Sequence, residues 1–249
     1  MFWPRRYSDE EYYSGSAMTH QLFSGTCPVC GGIEFDTSSV LWVELIDTWQ
    51  LTKDEVSYIN RQQGFHCKQC HNNLRAMGLS AAMLREYRHG GTLMQFCESS
   101  TNDLRILEIN TAGNLTKFLK KLHGHKLVEY PQFDMMNLDI ESDSYDLVIH
   151  SDTLEHVPMP ERGLSECLRV LRRDGKCIFT VPIVIDRFTR NRTGLTPSYH
   201  GQPGIFAHDQ LVCSEFGADV WKTVVKAGFT SCEIYAFEYP SALAIIARK

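Results

Sequence analysis

The stretch 104–182 constrains the fold more than any other part of the chain, because it twice repeats a strand, a polar turn and a helix. In its first half, the apolar run 105–109 leads through the small residues 110–113 into apolar residues at helical spacing. In its second half, the apolar strand 146–149 enters a polar loop, and a helix follows Pro160. Strands that alternate with helices predict a doubly wound α/β fold. Its turns bring backbone N–H groups to the carboxyl edge of a parallel sheet, where nucleotide-like ligands bind.

Two segments of this stretch carry a family resemblance. They are ILEIN…AGNL, from 106 to 115, and FDMMNLDIESDSYDLVIHSDTLEHVP…ECLRVLRRDGKCIFTVP, from 133 to 182. The pair resembles the class I S-adenosylmethionine-dependent methyltransferases, in which a strand ending in Glu or Asp leads into a glycine-rich loop under the methionine part of the cofactor. The resemblance implies an α/β fold with a Rossmann-like, doubly wound, mostly parallel seven-stranded sheet whose last strand is antiparallel.

The resemblance also implies which residues contact S-adenosylmethionine. Glu108 is the acid that ends the first strand, and Asn110 stands where the family prefers glycine, since asparagine tolerates a positive φ. Glu129 resembles the carboxylate that binds the ribose, and Asp134 resembles the one that contacts adenine. The alternative for Asp134 is a solvated acid in a turn. The full implied set is Glu108, Asn110, Ala112, Gly113, Glu129, Tyr130, Asp134, Met135, Met136, Ser151 and Asp152.

Two CxxC pairs predict a metal site. Cys27 and Cys30 form the first pair, and Cys67 and Cys70 form the second after 36 intervening residues. Each pair brings two thiolates to one side of a turn, so that together they supply the tetrahedral set of four cysteines that is typical of zinc. The alternative is two unrelated redox or core pairs. Because four thiolates leave no open coordination position, we expect a structural zinc in a module too small to bury a sufficient core.

Motifs and composition divide the chain into four predicted segments. These are an N-terminal arm at 1–22, a zinc-ribbon-like module at 23–73, connecting helices at 74–100 and the methyltransferase-like domain at 101–249. Inside the module, the run 40–43 predicts a strand, and a capping box at 52–55 predicts the start of a helix. Near the C-terminus, we expect a helix at 215–227 and two closing strands at 231–237 and 243–248.

A long insertion follows Pro182 and contains the triplet Tyr199-His200-Gly201. Long loops over a sheet edge tend to carry function, and an imidazole with a pKa of about 6.5 suits proton removal from an attacking hydroxyl or amine. We therefore predict His200, with Tyr199 beside it, as the catalytic base. His156, after the fourth strand, is the second candidate and is equally explained as a structural residue. The arginines of the insertion would bind an anionic substrate or lie solvated on the surface.

Composition limits the class of protein. A chain of 249 residues with 43% hydrophobic and 22% charged residues has the composition of a globular protein, with room for one ordinary domain and a small accessory one. The sequence has nine cysteines, no apolar run that could span a bilayer and no signal-peptide pattern, so we expect a cytoplasmic protein without membrane association. Residues 1–90 hold eight Lys/Arg and ten Asp/Glu, which disfavours a nucleic-acid partner.

These observations predict methyl transfer from S-adenosylmethionine to an oxygen or nitrogen atom of a small-molecule or glycan-like acceptor. Two alternatives stay open. One is an RNA methyltransferase, since zinc ribbons also accompany such domains. The other is a non-catalytic protein of this fold that uses its zinc module for protein interaction, which rests on Asn110 in place of glycine. The oligomeric state is also open, with a homodimer among the alternatives.

Overall fold

The computed structural model describes residues 25–99, 103–199 and 208–249. The predicted N-terminal arm at 1–22 and the predicted base His200 lie outside these residues. None of the helices among the described residues has the length and the apolar character that a bilayer span requires.

The N-terminal part, as far as it is described, consists of one antiparallel strand pair and four helices. In chain order these are β1 Phe35–Asp36, α1 Val43–Trp49, α2 Lys53–Gly64, β2 His66–Cys67, α3 Leu74–Glu86 and α4 Leu93–Glu98. The predicted capping box at the start of α2 is confirmed. The side chain of Thr52 accepts a hydrogen bond from the N–H of Glu55 (3.2 Å), and Glu55 Oε2 accepts one from the N–H of Thr52 (2.7 Å).

The C-terminal part contains the main sheet. Its elements are β3 Ile106–Ile109, α5 Thr116–Leu119, β4 His125–Val128, β5 Tyr145–Ser151, α6 Pro160–Val170, β6 Leu171–Thr180, β7 Ile183–Val184, β8 Arg190–Asn191, β9 Ser214–Gly217, α7 Trp221–Lys226, β10 Ser231–Glu238 and β11 Ala242–Arg248. The strands lie in the order β10-β11-β6-β5-β3-β4. β3 to β6 pair in parallel, and β11 is antiparallel to both of its neighbours. The predicted α/β fold, with a mostly parallel sheet and an antiparallel last strand, is confirmed.

The main sheet has six strands among the described residues, where the resemblance implied seven. Between β4 and β5, the residues 129–144 form turns and bends, and Asp134 bridges Asn137 within one of these turns. Only 16 residues make this connection. Each parallel crossover takes about a dozen residues or more, so the segment is too short for a helix, a further strand and a return.

The predicted strand at 40–43 is wrong. Val43 begins α1, and the residues just before it have no regular structure. Their backbone groups bind a side chain instead of a neighbouring strand, because Asn60 Oδ1 accepts hydrogen bonds from the N–H groups of Val40 (2.8 Å) and Leu41 (3.0 Å). The apolar run therefore lies along α2 as an irregular segment.

The predicted helix at 215–227 is wrong in its first third. Residues 214–217 form β9, which lies between β7 and β8, and only 221–226 are helical. The carboxylate of Glu215 pairs with Arg190 on the neighbouring strand β8 (2.7 Å) and with Arg192 just beyond it. These cross-strand ion pairs stabilise the extended form of a segment whose apolar spacing alone favours a helix.

The side chains of the main sheet alternate between two apolar clusters. In β3, Ile106 packs with Leu74 of α3 on one face, and Leu107 packs with Leu164 of α6 on the other. Burial on both faces explains why the strands are continuous apolar runs. The edge of the sheet at the carboxyl ends of its parallel strands is therefore supported by an apolar core on each face.

Polar contacts fasten the helices of the N-terminal part to the insertion after β6. Arg187 donates to both carboxylate oxygens of Glu55 (2.7 and 2.6 Å) and to the main-chain carbonyls of Trp49 and Gln50 (2.7 Å each). Trp49 Nε1 donates in turn to Ser198 Oγ (2.8 Å). Arg187 is thus engaged within the chain, so neither of the roles predicted for the arginines of the insertion describes it.

The end of α2 offers a test of this packing. A Cβ atom added at Gly64 would overlap the main-chain carbonyl oxygen of Ser38, whereas one added at Gly90 would meet nothing within 4 Å. We expect Gly64→Ala to lower the free energy of unfolding by about 1–3 kcal/mol, and Gly90→Ala to change it by less than about 0.5 kcal/mol. Urea denaturation of the two variants measures the difference. Equal midpoints would contradict the packing described for α2.

Candidate functional site

Glu108, at the end of β3, is fully buried and shapes the turn that follows it. Its Oε1 accepts hydrogen bonds from the N–H of Ala112 (2.8 Å) and from Thr116 Oγ1 (2.5 Å), and its Oε2 lies 2.6 Å from His125 Nε2. Both oxygens are thus engaged within the chain. The carboxylate holds the turn against α5 and β4, and its direct contact with a cofactor stays a prediction.

Asn110 links the ends of three strands. Its φ of 55° is left-handed, as is the φ of 58° at Gly113, so the positive φ predicted for this asparagine is confirmed. Its Oδ1 accepts a hydrogen bond from the N–H of Tyr130 after β4 (3.0 Å), and its Nδ2 donates to Thr153 Oγ1 after β5 (3.5 Å). The turn therefore keeps its form without the glycine that the family prefers.

A cavity of about 670 Å³ opens where β3, β4 and β5 end. Its wall contains seven of the predicted cofactor residues, namely Asn110, Tyr130, Asp134, Met135, Met136, Ser151 and Asp152. The other four do not line the cavity, although each lies within two residues of a lining residue in the sequence; they are Glu108, Ala112, Gly113 and Glu129. This space, called the strand-end cavity below, has the volume of an ordinary small-molecule site, about 300–1,000 Å³.

The wall of the strand-end cavity is acidic. Asp134, Asp152 and Asp209 contribute carboxylates, and its described lining residues include neither lysine nor arginine. Apolar side chains such as Phe133 and Met135 complete the wall. Carboxylates attract positive charge, and apolar side chains favour a flat ring, so the cavity suits a ligand that has both.

The turn that carries Asp134 is held by its own side chain. Asp134 Oδ1 accepts a hydrogen bond from the N–H of Met136 (2.8 Å), which is typical of an aspartate in a turn. A carboxylate has a second oxygen, and Asp134 borders the cavity. The aspartate can therefore stabilise the turn and accept a hydrogen bond from a ligand at once.

Asp152 connects the end of β5 to the N-terminal helices. It adopts a φ of 46°, and its N–H donates to the carbonyl of Thr180 (3.0 Å). Its Oδ2 accepts a hydrogen bond from Gln63 of α2 (3.2 Å) and pairs with Arg75 of α3. Burial lowers the pKa of Arg75 to about 10, so the guanidinium stays cationic near neutral pH.

His156 is the candidate base that the structure describes. Its Nδ1 donates to the carbonyl of Leu211 (3.0 Å), which leaves Nε2 as the acceptor nitrogen of the neutral ring, 3.7 Å from Glu155 Oε1. Burial lowers the pKa of His156 and raises that of Glu155 to about 7. Tyr199 forms a backbone bridge with the same Leu211, and His200 lies outside the described residues. His156 and Tyr199 therefore converge on one segment of chain.

Sequence reasoning missed that segment, 209–213. Asp209, Gln210, Leu211 and Cys213 all line the strand-end cavity. The N–H of Cys213 donates to the carbonyl of Glu155 (2.7 Å), which fixes the segment over the loop after β5. The available signal was a polar Asp-Gln pair in a long insertion, but no local pattern indicates that the insertion returns to the strand ends.

A second group of donor atoms lies inside the core, below the cavity. The donor atoms of His150, Cys167 and Cys177 lie within 4.8 Å of one another, and all three residues are fully buried. The ring of His150 stacks on Phe179 with its centroid at 4.5 Å, and burial lowers its pKa to about 3. His150 is therefore a neutral core residue and not a further candidate for the catalytic base.

The four predicted zinc ligands converge. The sulfur atoms of Cys27, Cys30, Cys67 and Cys70 lie within 4.8 Å of one another, with two pairs at 3.7 Å, Cys27 to Cys70 and Cys30 to Cys67. Tetrahedral zinc with Zn–S bonds of about 2.3 Å separates its sulfur ligands by about 3.8 Å. These residues, called the four-cysteine cluster below, therefore fit zinc in both chemistry and spacing.

Groups around the sulfur atoms support a thiolate site. The N–H of Gly32 points at Cys30 Sγ (3.4 Å), and the side-chain amide of Asn72 donates to Cys70 Sγ (3.4 Å). Such hydrogen bonds orient metal ligands and favour their charged form. A Cβ atom at Gly32 would lie 2.9 Å from Cys67 Sγ, which explains why this turn needs glycine.

Metal content tests the four-cysteine cluster. We expect purified protein to contain one zinc ion per chain, and Cys70→Ser to lose it and become insoluble, because three thiolates hold the module less tightly. Cys232→Ser, at a partly buried thiol in β10, is the matched control and should keep the metal. Inductively coupled plasma mass spectrometry measures the zinc content of wild type and of both variants. Wild-type protein without zinc would remove the assignment.

The turn at Asn110 supplies a second test. Asn110→Ala loses the acceptor for Tyr130 and places a Cβ residue without local hydrogen bonding at a φ of 55°. We expect it to lower the free energy of unfolding by about 2–3 kcal/mol, of which about 1–2 kcal/mol is the backbone conformation. Asn110→Gly tolerates this φ and should lose only about 1 kcal/mol. If denaturant unfolding shows that Asn110→Ala is as stable as wild type, the backbone strain expected at this position is contradicted.

Comparison with known proteins finds similarity in the middle of the chain. Residues 89–179 match the family model described as "Methyltransferase domain". A demethylmenaquinone methyltransferase from Clavibacter sepedonicus is 38% identical over 75 residues, which cover 29% of this chain and 31% of that protein. The match therefore spans about a third of the length of this curated relative.

Two solved structures are among those to which this chain is similar. One is an S-adenosylmethionine-dependent methyltransferase, a possible histamine N-methyltransferase, from Thermotoga maritima, with 15% identity, 69% of this chain and 98% of that chain covered, and a TM-score of 0.38. The other is the 1,6-didemethyltoxoflavin-N1-methyltransferase of Burkholderia thailandensis, with 16% identity, 70% and 88% covered, and a TM-score of 0.36. The family match covers residues 89–179, about a third of the chain, and this segment contains β3, β4 and β5, whose ends border the strand-end cavity.

Proposed function

We propose that the protein transfers the methyl group of S-adenosylmethionine to an oxygen or nitrogen atom of a small-molecule acceptor. The observation that carries the proposal is the acidic cavity at the strand ends of a domain that matches the methyltransferase family. When bound, the cofactor supplies a methyl group made electrophilic by its positive sulfonium. The protein's part is then alignment of the acceptor and removal of its proton.

The cofactor residues divide by the part of the ligand that they would bind. Asp134 accepts a hydrogen bond from the adenine amino group, and Met136 packs beside the ring. Glu129, exposed just after β4, accepts hydrogen bonds from the ribose hydroxyls. The turn after β3, held by Glu108 and Asn110, supports the methionine part. The carboxylates of the wall offset the positive charge of the sulfonium.

The base of the proposed reaction is a histidine. His200, with Tyr199 beside it, is the first candidate and lies outside the described residues. His156 is the second, and two observations support it: it borders the strand-end cavity, and its Nδ1–H bond to Leu211 fixes Nε2 as the acceptor nitrogen. A lowered pKa keeps its ring neutral, which a base requires.

The four-cysteine cluster has a structural part in this proposal. Four thiolates complete the coordination of zinc, so no position is open for a substrate or a water molecule.

The acidic composition of residues 1–90 weighs against an RNA acceptor. The non-catalytic alternative rested on Asn110, whose positive φ preserves the turn. A homodimer and a cytoplasmic location remain predictions.

Cofactor affinity tests the proposal. We expect Asp134→Ala to weaken S-adenosylhomocysteine binding about ten- to hundredfold, because a hydrogen bond to a charged group contributes about 1.5–3 kcal/mol. Asp139→Ala removes an exposed carboxylate that does not line the cavity, and it should bind like wild type. Isothermal titration calorimetry measures both, with thermal unfolding as a check on the turn. Unchanged affinity in Asp134→Ala would show that adenine does not contact this residue.

A further inference from the structure

A second cavity, of about 300 Å³, lies next to the strand-end cavity, and Asp152 belongs to the wall of both. Ten of its twelve lining residues are apolar or aromatic, among them Trp42, Leu45 and Trp49. The two polar residues are Asp152 and Gln63, which are hydrogen-bonded to each other (3.2 Å). The polar edge of this apolar cavity therefore faces the place where the proposed methyl donor binds.

The walls of the apolar cavity come from distant parts of the chain and are fixed in place. One side is formed by residues 40–63, which include α1 and most of α2, and the other by Asp152 and the segment 182–184 after β6. Trp49 is held by its hydrogen bond to Ser198, and Tyr58 of α2 accepts one from the N–H of Ile185 (3.1 Å). A cavity with walls held from both sides is largely preformed, as small-molecule sites usually are.

The lining determines what kind of molecule could enter. A sugar carries a hydroxyl on most of its carbon atoms, and each one that leaves water without a partner costs about 1–3 kcal/mol by protein mutational measures. Apart from the indole N–H groups, Gln63 and Asp152 carry the only polar side-chain groups among the described lining residues; they bond to each other, and Asp152 also pairs with Arg75. An aromatic ring or a short hydrocarbon, by contrast, gains free energy from burial against tryptophan and leucine.

We propose that the apolar cavity is the acceptor site, and that the acceptor is a small, mostly apolar molecule with one hydroxyl or amino group. This group meets Asp152 and Gln63 where the two cavities join, and the apolar remainder packs against α1 and α2. The inference rests on the proposed methyl transfer and narrows its acceptor from small molecules in general, glycan-like ones included, to apolar alcohols, phenols or amines.

The reaction in this arrangement balances without a further reagent. A lone pair on the acceptor oxygen or nitrogen forms the bond to the methyl carbon. The bond between that carbon and sulfur breaks, and its electron pair stays on sulfur, which gives S-adenosylhomocysteine. The acceptor's proton goes to the histidine base proposed above. Asp152 and Gln63 orient the reacting group by hydrogen bonding, since both border the apolar cavity.

Binding of 2-naphthol, a two-ring phenol, tests the assignment. Calorimetry is performed on the full chain with saturating S-adenosylhomocysteine, and methyl glucoside is the polar comparison. Leu45→Trp on α1 and Ile59→Trp on α2 each fill the cavity from a different helix, so that one serves if the other misfolds. Val225→Trp, on α7 at a half-exposed site that lines neither cavity, adds the same side chain elsewhere.

We expect wild type and Val225→Trp to bind one 2-naphthol per chain, and each filled variant to bind it at least about tenfold more weakly. Affinity for S-adenosylhomocysteine should stay within about twofold in all of them. The inference is overturned if wild type binds no 2-naphthol, if the filled variants bind it equally well, or if the glucoside binds as tightly. If wild type fails to bind S-adenosylhomocysteine itself, the proposed function is overturned and this inference with it.

Discussion

The ion pair between Arg75 and Asp152 joins the two parts of the molecule at the point where both cavities meet. A buried guanidinium costs free energy unless carboxylates surround it, and Arg75 lies in the field of Glu155 as well. Because Arg75 belongs to α3 and Asp152 follows β5, the position of the strand-end carboxylate depends on how the N-terminal helices pack. The accessory part is thus a wall of the site and not a separate appendage.

The four-cysteine cluster contributes to the same site from the other side. Asn114, just after the turn at Gly113, donates to the carbonyl of His71 (2.8 Å), and Lys117 of α5 donates to the carbonyl of Cys70 (3.0 Å). The second CxxC pair therefore contacts the turn between β3 and α5, to which the proposed function assigns the methionine part of the cofactor. A structural metal that fixes this pair would stabilise the turn as well as the module.

Local sequence patterns were sufficient for those parts of the fold that short-range physics decides. The strands of the main sheet, the positive φ of Asn110 and the capping box of α2 follow from apolar spacing and backbone preferences. The errors at 40–43 and 215–227 share a cause: partners outside the local pattern, such as the side chain of Asn60, override the apolar spacing. The strand-end cavity was largely predictable because its residues follow strands. The segment 209–213 and the apolar cavity were not, because folding assembles them from distant parts of the chain.

The connection between β4 and β5 is short and irregular, and α6 supports the turn of Asp134 that it contains. Arg162 Nε donates to the carbonyl of Met136 (3.0 Å), and Glu166 accepts a hydrogen bond from the N–H of Leu138 (2.9 Å). A Cβ atom at Gly163 would lie 3.3 Å from the side chain of Met135, so the glycine lets the turn approach the helix closely. Side chains of one helix thus provide the anchoring that a sheet ladder would otherwise give, and the wall of the cavity stays in place with 16 residues of connection.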